Sequence, residues 1–176
     1  MNEHLILLRG INVSGKNIIK MERLREVLSQ NGFENVKTYI QSGNILLESE
    51  DKNSEKVARE IENLIETHFE LHVSAIAVSK KILKKVLEEN PFLNQNSDLK
   101  KLYVVFLSAI PLEESKMKLL KTNLEPDEFK ISGKIVYLKY HDTAGNSKLS
   151  NKLIENKLKV NATMRNWNTI QKLLEL

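Results

Sequence analysis

The sequence predicts an α+β fold built from two ferredoxin-like modules, each an α/β-plait with the element order βαββαβ, and an extra C-terminal helix. Three observations predict it. Short apolar runs of strand length alternate with segments whose apolar residues recur every three or four positions, as on one face of a helix. Two pairs of strand-like runs are joined by tight-turn sequences, Ser42-Gly43-Asn44 and Ser132-Gly133-Lys134, which indicate hairpins. The same order of elements occurs twice along the chain.

The first module is expected over residues 1–78. Its first strand is the apolar run at 4–8, and its first helix begins near Met21 and ends at Asn31-Gly32, where glycine favours a helix stop. Ser54 is the predicted N-cap of the second helix, whose apolar residues recur three or four positions apart. The other strands are predicted at residues 36–40, 45–47 and 74–78.

A connecting helix and linker are expected over residues 79–100, and the second module over residues 101–176. Ser79 is the predicted N-cap of the connecting helix, which Pro91 ends. In the second module, Pro111 marks the start of one helix and Ser147 is predicted to cap the next. The remaining elements are strands at 102–107, 128–131, 135–140 and 160–163, and a last helix from Trp167, whose ring is expected in the core.

Composition narrows the classes of function. The 176-residue chain has no cysteine, which excludes disulfide scaffolds and thiolate catalysis and is compatible with a cytoplasmic protein. No apolar stretch approaches the roughly 20 residues that span a bilayer, so a membrane partner is not expected. The net charge of +4 is concentrated in the last third of the chain. This suits an anionic partner such as nucleic acid, although solvated lysine faces have the same composition.

Two polar clusters are expected at sheet edges. In a ferredoxin-like sheet the first two strands are parallel and the third lies between them in the opposite direction, so the ends of strands one and two meet the start of strand three. In the first module this topology gathers eight candidate ligand-binding residues: Arg9, Gly10, Asn12, Lys16, Asn17, Gln41, Ser42 and Asn44. In the second module it brings Asn146 and its neighbours towards the end of the last strand, with the candidates Ser147, Lys148, Arg165, Asn166 and Asn168.

Both clusters combine cationic groups and amides, with helix N-termini expected nearby. These are groups that bind anions, so phosphate or carboxylate is the expected ligand. The alternative is purely structural, because glycine, asparagine and serine are also the residues that turns require. The four histidines show no metal-ligand spacing, and no set of residues suits nucleophilic catalysis. Neither a metal, a cofactor nor a catalytic residue is therefore predicted.

The segment from Gly10 to Lys16 matches the nucleotide-binding pattern G-x-x-x-x-G-K and follows a strand. Three features argue against a P-loop. Asn17 stands where Mg²⁺ coordination needs a serine or threonine hydroxyl. The next helix is predicted to begin only at Met21, and no later strand ends in the aspartate that would complete the metal site, since residues 102–107 are followed by Ser108-Ala109. Hairpins also argue against the parallel sheet of such enzymes. Looser phosphate binding by the same loop stays open.

Several motifs of the chain are shared with one protein family: Leu7–Val13, Lys16-Asn17, Met21, Thr38–Asn44, Ser147-Lys148-Leu149 and Thr163–Thr169. With these motifs the chain resembles, over most of its length, the bacterial family called domain of unknown function 1697. The resemblance implies two α/β-plait subdomains but no substrate, cofactor or catalytic residue. The chain departs from the family pattern at two positions. The family usually has glycine where this chain has Ser14, which stiffens the loop, and arginine where it has Asn146, which removes a cation from the second cluster.

Three functions are compatible with these observations. The first is a cytoplasmic binding protein for a phosphorylated or otherwise anionic ligand, nucleic acid included. The second is an enzyme that holds a small anionic metabolite with Arg9, Lys16 and Arg165 in a cleft between the modules. The third is a protein–protein interaction module in which the polar loops are only turns.

Overall fold

Two four-stranded antiparallel sheets organise the chain, and each belongs to its own compact unit. The computed structural model describes residues 1–176, with residues 1–83 in the first unit and 84–175 in the second. The division falls within the connecting helix Lys80–Glu88. None of the helices combines the length and the apolar composition that crossing a bilayer would require.

The first unit has the predicted ferredoxin-like topology. Its elements in chain order are β1 (Asn2–Leu8), α1 (Met21–Gln30), β2 (Glu34–Tyr39), β3 (Asn44–Ser49), α2 (Ser54–Phe69) and β4 (Ala75–Val78). The sheet has the order β2-β3-β1-β4, and β1 pairs with both β3 and β4 in antiparallel register. Helix α1 connects β1 to β2, and helix α2 connects β3 to β4.

The apolar residues of this unit meet where their spacing predicts. Leu24 and Leu28 of α1 and Ile61 of α2 are fully buried, because residues three or four apart share one helix face. They pack on Ile6 and Ile45, which occupy the two central strands. Burying a side chain of this size stabilises the folded state by about 2 kcal/mol. The packed layer therefore holds the strands in place, and the strands carry the loops at the sheet edge.

The second unit repeats the topology and adds a final helix. After the connecting helix α3 (Lys80–Glu88), the elements in chain order are β5 (Leu102–Leu107), α4 (Glu113–Leu120), β6 (Glu128–Ser132), β7 (Ile135–Lys139), α5 (Asn151–Leu158), β8 (Ala162–Asn166) and α6 (Trp167–Glu175). The sheet has the order β6-β7-β5-β8. The predicted fold class, two ferredoxin-like modules and an extra C-terminal helix, is therefore confirmed.

Two aromatic residues are central to the second unit. Trp167 is only 1% exposed, which confirms that its ring belongs to the core. The hydroxyl of Tyr140 donates a 2.7 Å hydrogen bond to the carbonyl of Leu149, and its ring meets Tyr103 edge-on at 5.1 Å. Burial raises the pKa of Tyr140 well above its ordinary value, since the phenolate would lose its hydration. The phenol therefore acts as a neutral structural donor.

Three predicted helix starts are wrong. Asn53, not Ser54, caps α2: its side chain accepts hydrogen bonds from the N–H groups at 55 and 56, while the Ser54 hydroxyl bonds His4. Ser150, not Ser147, caps α5. Helix α4 begins two residues after Pro111 and has no side-chain cap. The Ser79 cap of α3 is confirmed by its 3.2 Å bond from the N–H of residue 82.

Gly43 packs closely against Leu8 and Ile11. Its carbonyl accepts a 2.8 Å bond from the N–H of Leu8, and its φ is +76°. A Cβ at this position would lie 2.7 Å from both Leu8 Cβ and Ile11 Cδ1, closer than van der Waals contact permits. Glycine is therefore required here for space as well as for conformation.

We predict that Gly43→Ala lowers the free energy of unfolding of the first unit by about 3 kcal/mol, because overpacking and a positive φ both penalise the new methyl group. Gly133→Ala is the matched control: Gly133 also has a positive φ, +58°, but no atom lies within 4 Å of its Cβ position. That variant should lose only about 1 kcal/mol. Chemical denaturation of both variants measures the difference, and equal losses would contradict the steric explanation.

Candidate functional site

The β1–α1 loop, residues 9–20, contains a tight turn at its tip. The N–H of Lys16 donates a 3.0 Å bond to the carbonyl of Val13, and the same two residues form an isolated antiparallel bridge. The central residues Ser14 and Gly15 have φ values of +50° and +73°, which identifies a type I′ turn. No protein group accepts a hydrogen bond from the N–H of Ser14 or Gly15.

The β2–β3 turn, residues 40–43, lies beside this loop. Asn44 is 1% exposed and donates from Nδ2 to the carbonyl of Tyr39 at 2.9 Å and to the Ser42 hydroxyl at 3.0 Å. These bonds close the turn across its own ends. Ile40, at the start of the turn, has a φ of +50°, a conformation in which a β-branched residue is strained.

The Asn12 side chain joins the loop to the turn. Its Nδ2 donates to the carbonyls of Ile19 and Gln41, each at 2.9 Å, and its Oδ1 accepts a 2.9 Å bond from the N–H of Ile19. We call these three hydrogen bonds the Asn12 bridge. The predicted juxtaposition of the loop with the segment around Gln41 is therefore confirmed, although the two are far apart in sequence.

The asparagines of the first cluster serve the fold. Asn12 forms the bridge, Asn44 closes the turn, and Asn17 donates a 3.0 Å bond from Nδ2 to the carbonyl of Gly10. Asn12 and Asn17 also have positive φ values, which asparagine tolerates better than most residues. Of the other predicted residues, Gly10, Lys16 and Gln41 are exposed, whereas Arg9 and Ser42 are half-buried.

The loop and the turn form a basic edge of the first unit, defined here as residues 9–20 and 40–43. Neither segment contains an aspartate or a glutamate. Lys16 and Lys20 are exposed and form no ion pair. An anion approaching this edge therefore meets two lysines without ion-pair partners and the N–H groups of Ser14 and Gly15. The N-terminus of α1 adds little, because Glu22 already lies in its first turn.

Sequence reasoning missed four residues of this edge. Lys20 is the second exposed cation, and Val13, Ile18 and Ile40 are exposed aliphatic side chains at 57%, 59% and 48%. Lys20 could have been recognised from the sequence as a second cation of the edge, because neither segment contains an acidic residue. The exposure of the three aliphatic residues had no such signal, because each sits in a run that also supplies core residues.

The interpretation that Gly10–Lys16 is not a P-loop is confirmed. Helix α1 begins at Met21, five residues after Lys16, and the sheet is antiparallel. The backbone of the segment folds on itself into a type I′ turn, so it does not wrap around a phosphate as a P-loop does.

In the second cluster, two candidates have structural roles. Arg165 is 6% exposed, and one guanidinium nitrogen donates to the Thr163 hydroxyl at 2.7 Å and to the carbonyl of Met164 at 2.9 Å. Its burial lowers the pKa of Arg165 to about 10, since the charged form loses hydration. Asn166 caps α6 by accepting a 2.8 Å bond from the N–H of Thr169.

The remaining residues of the second cluster are divided between two environments. The Ser147 hydroxyl donates to the carboxylate of Asp127, which also accepts the N–H of His141, so Ser147 anchors the loop that follows β7. Lys148 and Asn168 are exposed.

Near the start of β5, a cavity of about 690 Å³ opens at this sheet edge. Its lining combines the loop at 94–98 with Lys101, Leu102 and Lys139.

Residues 1–137 match the family described as "Protein of unknown function (DUF1697)". The chain belongs to this family. The match contains every residue of the basic edge, whereas the C-terminal motifs at 147–149 and 163–169 lie beyond it.

A solved structure supports the same fold. The chain is similar to the conserved bacterial protein SP0830 from Streptococcus pneumoniae, with a TM-score of 0.75 and 25% sequence identity. The similarity covers 98% of this chain and 97% of that protein. No curated protein sequence matches the chain.

We predict that Asn12→Asp lowers the free energy of unfolding by about 2 to 3 kcal/mol, because two carbonyls lose their donor and face a carboxylate instead. Asn17→Asp is the matched control. It also changes an asparagine with positive φ, but it removes a single exposed bond and should cost less than about 1 kcal/mol. Denaturant unfolding compares the two, and a smaller loss for Asn12→Asp would show that the Asn12 bridge contributes little.

We also predict that Ser14→Gly stabilises the protein by roughly 0.5 to 1 kcal/mol. Serine at a φ of +50° strains the first central position of the type I′ turn, and glycine removes that strain. Gly15→Ala should have the opposite effect, since it introduces a Cβ at a φ of +73°. The midpoint of urea unfolding reports both changes, and a destabilised Ser14→Gly variant would exclude strain at this position.

Proposed function

We propose that the protein binds a phosphorylated or otherwise anionic ligand at the basic edge of its first unit. The observation that carries the proposal is the pair of exposed cations, Lys16 and Lys20, on a loop without any acidic residue. The unoccupied N–H groups of Ser14 and Gly15 support it, because backbone amides at a turn can bind an anion that the lysines attract.

The rigidity of the loop also supports binding. The Asn12 bridge fixes the loop against the β2–β3 turn, so the N–H groups and the lysine main chains are positioned before the ligand arrives. A preorganised site spends less free energy on ordering the chain during binding. The buried Arg165 does not take part in this proposal, whereas Lys148 and Asn168 stay candidates for a separate contact.

The ligand class includes both small phosphates and nucleic acids. Nucleic-acid binding would show a steep dependence on salt, since each neutralised phosphate releases counterions, whereas a small phosphate would contact only one or two lysines.

We further propose that binding takes place in the cytoplasm, with which the lack of cysteine is compatible.

We predict that inorganic phosphate shifts the amide resonances of Ser14 and Gly15 in a nuclear magnetic resonance titration. Lys16→Ala and Lys20→Ala should each weaken binding about 3- to 10-fold, because each removes one charge-assisted contact. Lys52→Ala is the matched control. Lys52 is also exposed but follows the far end of β3, which is about 17 Å along the strand from Asn44.

The same variants separate small phosphates from nucleic acid. With a single-stranded or duplex oligonucleotide, each lysine that contacts a phosphate should reduce the slope of log affinity against log salt by about one. The proposal fails if phosphate leaves the Ser14 and Gly15 resonances unchanged, or if Lys52→Ala weakens binding as much as Lys16→Ala.

A further inference from the structure

The basic edge has a second property that binding of a bare phosphate does not explain. Three branched aliphatic side chains are exposed on it: Val13 at 57%, Ile18 at 59% and Ile40 at 48%. An exposed aliphatic residue alone is ordinary, but here three occur within the two short segments that carry the exposed lysines.

Connectivity places these three residues at the junction of the loop and the turn. The Asn12 bridge joins Asn12 itself to Ile19 and Gln41, and Val13, Ile18 and Ile40 are the chain neighbours of those three residues. Consecutive Cα atoms are about 3.8 Å apart, so the backbone of each aliphatic residue is one peptide unit from the bridge. The three exposed aliphatic residues therefore belong to the part of the basic edge where the loop and turn meet.

Ile40 lowers the stability of the folded state. Its φ of +50° is unfavourable for a β-branched residue, and its side chain is half exposed, so core packing gives little in return. Asparagine or glycine would adopt this conformation with less strain. The folded state thus does not require an aliphatic group here, and contact with a ligand would give that group a physical role.

From this juxtaposition we infer that the ligand of the basic edge is a soluble organic phosphate whose apolar group adjoins the phosphate. This inference rests on the proposed function and narrows its ligand class. The phosphate pairs with Lys16 and Lys20, and the apolar group covers Val13, Ile18 and Ile40. Three side chains match a small organic group, whereas stable membrane attachment requires a larger apolar face or an acyl chain.

A homologous series of alkyl phosphates tests the inference, with inorganic, methyl, butyl and hexyl phosphate as probes and amide shifts as the readout. Complete burial of a methylene strengthens binding about four-fold, so partial burial on an open surface should give about two-fold for each one added. Hexyl phosphate should then bind about 30-fold more tightly than methyl phosphate, which has five fewer methylenes.

The decisive variant is Ile40→Asn. Asparagine suits the left-handed conformation, so the variant should fold at least as stably as the parent protein. It should bind inorganic phosphate with unchanged affinity and lose at least three-fold of its affinity for hexyl phosphate. Ile110→Asn is the matched control, because Ile110 is 63% exposed but lies in the second unit, and it should change neither affinity.

The outcomes separate this inference from the proposed function. If phosphate binds but affinity does not rise with chain length, the inference is overturned and the proposed function stands. The same holds if Ile40→Asn and the parent protein respond equally to chain length. Binding to phosphatidic acid vesicles without binding to soluble hexyl phosphate would identify a lipid surface instead and would also overturn it. If inorganic phosphate does not bind at all, the proposed function fails first.

Discussion

The side chain of Asn12 connects two segments that are 29 residues apart in sequence. It satisfies both backbone groups of Ile19 and the carbonyl of Gln41, which would otherwise need solvent or another partner. Gly43 makes this arrangement possible, since its missing side chain lets the turn lie against Leu8 and Ile11. The shape of the basic edge therefore depends on the side-chain amide of Asn12 and on the missing side chain of Gly43.

Because the asparagines of the edge bond to the backbone, the proposed recognition rests on the lysine ammonium groups and on the N–H groups of Ser14 and Gly15, which have no internal partner. This division explains why a nucleotide-binding pattern can occur here without a P-loop. The glycines of the pattern set the conformation of a turn, and Lys16 is left exposed beside it.

Most of the fold could be predicted from the sequence, because apolar periodicity and turn residues act locally. The positions of the polar loop and the β2–β3 turn followed from topology alone. Helix caps were less predictable. Asn53 and Ser150 are the caps, one and three residues away from the predicted Ser54 and Ser147. The hydroxyls of these two serines bond instead to His4 and Asp127, which are distant in sequence. The burial of Arg165 has no sequence signal, because arginine is usually exposed.

The residues with positive φ on the basic edge fall into two groups, those that suit this backbone conformation and those that do not. Asn12 and Asn17 suit that conformation, and their amides stabilise it through hydrogen bonds. Ser14 and Ile40 do not suit it, and neither side chain contributes substantially to the core. Local violations of this kind are common where function, not stability, decides the residue. Both lie on the basic edge, Ser14 two residues before Lys16 and Ile40 at the start of the β2–β3 turn. Their cost in stability is a second argument, independent of charge, for the proposed ligand site at this edge.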